Sequence, residues 1–298
     1  MWLPGLGFKR QAVQWRRDLN NLARIPFDTV KADIVRRSLT SSLDNSQVAW
    51  NQANGDAPDS YVASHLRNHN TKPNADEDDV MWTAASLYTG GSDTTIAGLT
   101  AFVLMMCSHP PAQKHAQEEI DKIVGSDRLP SFADMPNLPY VGACVKETLR
   151  HWTVAPLGLP HRAMEDGRYQ DYDIPAGSTV VANIWGIMHD EAVYSDPFAF
   201  KPERFLPASA GGLGEPDCAP AVFGYGRRIC PGMHLAEASL WVYAVQMLAV
   251  LDIVPVRGKD GEEVPPRAEA GPGVISVPKP FVCDIRPRSA ASATLARQ

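Results

Sequence analysis

Hydrophobic positions recur at helical spacing through the first half of the chain and give way to short alternating runs after Pro156. Residues 1–70 set charged positions such as Arg16, Arg17 and Asp18 among Leu, Val and Trp, which predicts one or two amphipathic helices. The segment NTKPNADEDD then supplies a proline break followed by acids, which favour the positive end of a helix dipole. From about Asp76 to Ser108 the chain is apolar nearly all round, the pattern of a buried central helix. HPP at 109–111 ends it, and PAQKHAQEEIDKIVG predicts a shorter surface helix closed by Gly125. LPYVGACVKETLRHW and HLAEASLWVYAVQMLAVL predict two more helices. Between them GRYQDYDIPAGSTVVANIW alternates as a small sheet would, followed by the irregular DPFAFKPERFLP and the polar loop ASAGGLGEPDCAP. GVISVPKPFVCDIRPRS predicts a terminal hairpin with a frayed Ala/Ser tail behind it. The fold class expected is mainly α with a small β-sheet part, as a single domain over 1–290 with a disordered tail at 291–298.

Within the central helix one stretch breaks its own pattern. Gly90 and Gly91 each cost about 1 kcal/mol relative to Ala, and Asp93, Thr94 and Thr95 put polar groups where apolar ones would pack. Such inconsistency points to a functional site. GGSDTT lacks the Gly-Lys-Ser/Thr ending of a phosphate-binding loop, so nucleotide binding is set aside.

Composition narrows the classes. Hydrophobic residues make up 44% and charged residues 21% of the 298, ordinary for a globular protein, and 25 prolines make the C-terminal half loop-rich. A net charge of -6 with a pI near 5.7, and no basic stripe, argues against nucleic acid as a partner. The five cysteines are far apart with no C-x-x-C pair, which excludes a disulfide framework or a zinc module. His65 and His69 share a helical spacing but lack a third ligand, so they read as a solvated helix end. MWLPGLGFKRQ is not a signal peptide, and Asp93 and Glu237 interrupt the longest apolar stretches, so no membrane-spanning segment is expected.

The most specific chemistry lies in FGYGRRICPG, Phe223 to Gly232. Cys230 sits in a Gly-rich turn beside Arg227 and Arg228, just before a helix whose N–H groups point at it, so its thiolate is stabilised as a metal ligand. Gly226 and Gly232 carry no Cβ and admit a flat ligand close to the backbone. Glu147 and Arg150, three apart in KETLR, read on spacing alone as a surface salt bridge worth at most about 1 kcal/mol.

Phe223, Gly226, Arg228, Cys230 and Gly232 fill F-x-x-G-x-R-x-C-x-G, and the chain resembles the cytochrome P450 family, in which a cysteine thiolate holds haem iron. GGSDT at 90–94 resembles that family's central-helix motif, and KETLR with PERF at 202–205 resembles its E-x-x-R and later arginine. The resemblance implies a P450 fold in which Cys230 ligates the iron of haem b. Asp93 and Thr94 would relay the protons that cleavage of bound O2 requires. Arg228 would hold a haem propionate together with His161 or the adjacent Arg162. Glu147, Arg150 and Arg204 would form a buried network supporting the cysteine loop. Tyr88, Gly90, Gly91, Val154, Leu157 and Val274 to Ser276 would line the substrate site. The implied reaction inserts one oxygen atom from O2 into a small hydrophobic substrate, with NADPH electrons arriving through a cytochrome P450 reductase. The wording of both ends resembles fungal members that oxidise secondary metabolites or xenobiotics. The family's N-terminal membrane anchor, early helices, most of its main sheet and its pocket roof have no counterpart in the sequence. A full-length relative would be anchored in the endoplasmic reticulum. Two rival expectations follow: a truncated, non-catalytic remnant that binds haem weakly or not at all, and a peroxide-driven or isomerising haem-thiolate protein, against which Asp93 and Thr94 argue.

Overall fold

The computed structural model describes residues 7–40, 60–68 and 76–297. The chain packs as two compact units, Met1–Gly90 and Gly91–Gln298.

In the first unit, α1 (Gly7–Thr40) and α2 (Tyr61–Asn68) accompany the start of α3 (Glu77–Ser108). Ala23, Phe27, Val62, Val80 and Met81 form its small core, and Lys31 pairs with Glu77 at 2.6 Å. Ser60 caps α2, its hydroxyl accepting from the Ala63 amide at 3.1 Å. Glu77, Asp78 and Asp79 occupy the first turn of α3, where the helix dipole favours negative charge. His65 bonds its own helix through the Tyr61 carbonyl, while His69 lies outside the described residues.

The expectation that the central helix is buried along its length is corrected. Burial is confined to its two ends, Val80 and Met81 at the start and Ala97, Ala101, Phe102 and Leu104 to Cys107 toward the end, whereas Leu87 and Tyr88 between them are exposed. A helix of 32 residues is longer than the core of the second unit, so burial stops where its partners stop.

Those partners are α4 (Pro110–Ile123), α5 (Pro139–His151) and α8 (Met233–Val250), which pack pairwise around the main core. The chain turns sharply between α3 and α4, by 104° at His109, because Pro110 cannot continue the first helix but suits the first turn of the next. Glu119 caps α5, accepting from the Tyr140 and Val141 amides at 3.0 and 3.1 Å. α8 is long and apolar enough to cross a membrane, but Leu240, Trp241, Ala244, Val245 and Leu248 bury one side of it in this core. The short helices α6 (Ile184–Met188) and α7 (Ala219–Val222) share a satellite core of Ile184, Met188, Tyr194, Cys218 and Ala221.

Among the described residues the β structure consists of four two-stranded antiparallel ladders. β1 (His161–Arg162) pairs with β4 (Thr179–Val180), and β2 (Gly167–Tyr169) with β3 (Tyr172–Ile174). β6 (Val256–Arg257) pairs with β7 (Glu263–Val264). The expected terminal hairpin does not form: β8 (Asp284–Pro287) pairs instead with β5 (Leu251–Val254), Ile285 opposite Ile253. Pro278 and Pro280 lack the N–H groups a hairpin over 274–287 would need, leaving an isolated bridge from Ala270 to Pro278. The tail expected to fray forms α9 (Ala290–Leu295), capped by the Ser289 hydroxyl accepting from the Ser292 amide at 3.0 Å.

Candidate functional site

Cys230 stands two residues before Gly232, the N-cap of α8, at the end of a tight turn. The turn runs from α7 through Phe223 and a 3-10 segment at Gly226–Arg228, and the Cys230 amide closes it by donating to the Phe223 carbonyl at 2.8 Å. Gly224 and Gly226 hold φ of 82° and 62°, values that favour glycine, so the loop needs residues without Cβ at both positions. Phe223 packs against the main core and anchors the turn from below. Arg227, Arg228, Ile229 and Cys230 are exposed.

This placement suits a thiolate ligand. Cys107, Cys144 and Cys218 are buried and Cys283 half-buried, so Cys230 is the exposed cysteine of the five. A Cβ at Gly232 would come 3.9 Å from its sulfur, into the space beside it. Among the described residues no group of three or more His, Cys, Asp or Glu side chains is placed to hold a metal. Iron at Cys230 would therefore bring its other ligands with it, as a porphyrin does, and a single outward thiol behind a glycine cradle fits that group.

On α3, Asp93 is exposed and Thr94 half-buried. A Cβ at Gly90 or Gly91 would meet nothing within 4 Å, so the helix surface there is open. Tyr88 and Gly90 belong to the first unit, Gly91, Asp93 and Thr94 to the second. One turn beyond Thr94, Gly98 lets α3 approach α8 closely: a Cβ at that position would fall 3.1 Å from Leu240 Cδ2. Sequence reading passed over Gly98; a small residue one turn past the GGSDT stretch was the available signal.

Trp152 Nε1 donates to the Ser276 carbonyl at 2.7 Å and the Ser276 amide to the Val154 carbonyl at 2.8 Å, which places Val154 against the 274–276 segment. Leu157 and Val274 are exposed beside them in sequence. Neighbouring residues on a strand face opposite ways. The Arg162 guanidinium lies over the turn between β3 and β4, 3.6 Å from where a Cβ at Gly177 would stand, and His161 therefore takes the other face of β1.

Glu147 and Arg150 do not form a surface bridge. Both are fully buried, with Arg150 Nε and Nη2 donating to the two carboxylate oxygens at 2.7 and 2.8 Å. Arg150 Nη1 reaches the Met188 carbonyl at 2.7 Å, and its guanidinium stands 5.3 Å from the centre of the Tyr194 ring. Arg204, also buried, comes from the 3-10 turn Pro202–Phe205 and donates from Nε to Glu147 Oε1 at 3.3 Å. The Lys201 amide gives that oxygen a further bond of 2.8 Å. A fourth charged group, Glu215, meets Arg204 at 2.7 Å. It was missed because a lone acid in a glycine-rich loop carries no local pattern.

Comparison with known proteins bears on this arrangement. The family model described as cytochrome P450 matches residues 13–283. Cytochrome P450 monooxygenase 208 of Postia placenta is 40% identical over 295 residues, covering 99% of this chain and 53% of the relative. Multifunctional cytochrome P450 monooxygenase af510 of Aspergillus fumigatus is 36% identical over 296 residues, covering 97% of this chain and 51% of the relative. A solved zebra fish cytochrome P450 with abiraterone aligns with a TM-score of 0.63 and 31% identity, over 72% of this chain and 50% of the other. The chain spans about half the length of the curated relatives it matches.

Proposed function

From a chain that belongs to the cytochrome P450 family, we propose a haem-thiolate monooxygenase half-site in which Cys230 is the iron ligand. When bound, haem b would supply the activation of O2 and transfer of one oxygen atom to a small hydrophobic substrate, with electrons from NADPH through a cytochrome P450 reductase. The residues have separable tasks. Cys230 presents its thiolate outward from a turn fixed by its own amide bond to Phe223. Arg228 offers a cation to a propionate, and His161, on the face of β1 turned away from the Arg162 guanidinium, is a better-placed second donor than Arg162. Asp93 holds and releases protons at an exposed carboxylate, and the Thr94 hydroxyl passes them on next to it. Gly91 keeps the helix surface open for substrate, with Val154 and Leu157 as further lining. Both units are parts of one P450 domain in this reading, since the family match crosses their boundary. We extend the proposal to a secondary-metabolic or xenobiotic substrate, on the likeness of the two ends of the chain to fungal members of the family.

The observation that carries the proposal is the exposed thiol of Cys230 in its glycine-cradled turn at the start of α8. A second reading, a remnant that binds haem weakly or not at all, draws on the same exposure, because an open thiolate is readily protonated or displaced by water. Expression with haem supplied, followed by the reduced carbon monoxide difference spectrum, decides between them. A thiolate-type Soret band that disappears in Cys230→Ala is the expected result. Absence of haem, or a spectrum unaffected by Cys230→Ala, would establish the remnant.

A further inference from the structure

The buried network around Glu147 does not balance with three members. Glu147, Arg150 and Arg204 together carry a net positive charge, and all are inaccessible to water. A buried charge without an opposite partner is costly. Glu215 supplies the missing negative charge: its Oε2 accepts from Arg204 Nη1 at 2.7 Å, and its side chain is only 11% exposed. With that bond Arg204 places all five N–H groups, on Glu147, Glu215 and the carbonyls of Ser195, Asp196 and Ala199. The other Glu215 oxygen accepts from the Ser195 amide at 3.0 Å and the Ser195 hydroxyl at 2.6 Å. Burial opposes its charge, but the bonds from Ser195 and Arg204 hold the Glu215 carboxyl below the usual carboxylate range.

The loop between the two residues is built for this meeting. Gly211 and Gly214 hold φ of 80° and 72°, and any Cβ at Gly212 would fall on the Leu206 carbonyl. The Gly212 amide bonds the Pro207 carbonyl at 3.2 Å and the Leu213 amide the Glu203 carbonyl at 3.0 Å. The chain thus doubles back on the Pro202–Phe205 turn and delivers Glu215 to Arg204. Beyond Glu215 the anchors continue. The Pro216 carbonyl accepts from Tyr194 at 3.3 Å, Asp217 pairs with Lys146 at 2.6 Å, and the Cys218 thiol faces the Lys146 carbonyl at 3.5 Å. α7 follows at once, and then Phe223, whose carbonyl takes the Cys230 amide.

We propose that Glu215 is a positioning residue, completing the charge balance of Glu147, Arg150 and Arg204 and fixing the 215–223 segment against α5, and through it the turn that presents Cys230. The part concerning Cys230 rests on the haem-thiolate reading above; the anchoring does not.

Cys218, three residues on and 1% exposed, reports on that anchor. In the full chain, alkylation with iodoacetamide read by mass spectrometry compares Cys218 with Cys107 and Cys144, which are buried on α3 and α5. Glu215→Gln is expected to speed labelling of Cys218 about tenfold or more with Cys107 and Cys144 unchanged, a local opening rather than a global one. Glu215→Asp should recover part of the protection. A folded Glu215→Gln with wild-type Cys218 labelling overturns the proposal. Should all three thiols accelerate together, Ser195→Ala decides, since it removes one bond and leaves the charge: faster labelling of Cys218 alone supports the anchor, and no change overturns it. In haem-supplied protein, Glu215→Gln should also lower the thiolate-type share of the carbonyl complex at least about twofold. A full thiolate band in a variant whose Cys218 has opened would sever the link to Cys230. A wild-type chain with no such band would sink the haem-thiolate reading and leave the anchor to be judged by Cys218.

Discussion

His151 ends α5 directly after Arg150, with its ring 6.0 Å from Phe200 and 6.1 Å from His189. Its buried Nδ1 has no hydrogen-bond partner among the described residues. Loss of solvent comes first among the causes that push its pKa down to about 4, followed by Arg150, His189, His109 and Arg204, all cationic or able to become so. Folding therefore favours neutral His151. An unfolded histidine titrates near about 6.5, so the unfolded chain binds more protons between that value and about 4. The stability this residue contributes is full above pH of about 6.5 and drains away as pH falls toward 4. His189 is lowered in the same sense, burial again leading, and adds to the slope. Thermal midpoints taken from pH 7 to 4.5 should fall for the wild-type chain and fall less for His151→Phe, which keeps the ring contacts without the titration. Parallel curves for the two proteins would show that folding does not lower the pKa of His151.

Elements meet in this fold through side chains that finish backbone ladders. Gln113 on α4 treats β5 as a strand would, its amide donating to the Ile253 carbonyl at 2.7 Å and accepting from the Ile253 amide at 2.8 Å. Ile253 is fully buried, so Gln113 satisfies two backbone groups that water does not reach. Gln113→Leu should destabilise the chain by about 1–3 kcal/mol for each group left unpaired, measured by urea denaturation. A loss under about 0.5 kcal/mol would mean that β5 finds other partners when Gln113 is gone. None of this was legible in the sequence, because Gln113 and Ile253 lie on separate elements and neither position has a marked neighbour. The helices were legible, since proline breaks, acidic starts and 3.6-residue periodicity are local signals. So was the Cys230 turn, where the glycines and the cysteine sit within ten residues. What local pattern could not supply was pairing: that β8 joins β5 across the intervening loops, or that Glu215 returns to Arg204. The burial of the central helix was overread for the same reason, its apolar periphery being visible and its missing partners not.

The family match runs through both units, and the molecule as a whole sorts its five thiols into two groups that make the haem-thiolate reading testable without turnover. Thiolate is the reactive form, so a buried thiol is protected twice, by access and by ionisation. Burial, then Cys283 and Glu263, raises Cys107 to about 11, and burial leads in raising Cys144, Cys218 and Cys283 as well. Cys230 is exposed. Iodoacetamide should therefore label Cys230 of the haem-free chain first, about ten times faster than the three buried thiols. Haem seated on that sulfur would both consume its lone pair and stand in the way of reagent. Supplying haem should slow Cys230 alone, and extracting it should restore the original rate. If Cys230 is as slow as Cys144 before haem is added, the turn is not open in solution. If haem binds and leaves the Cys230 rate unchanged, its iron is held elsewhere, and the proton-handling roles proposed for Asp93 and Thr94 lose their point of reference.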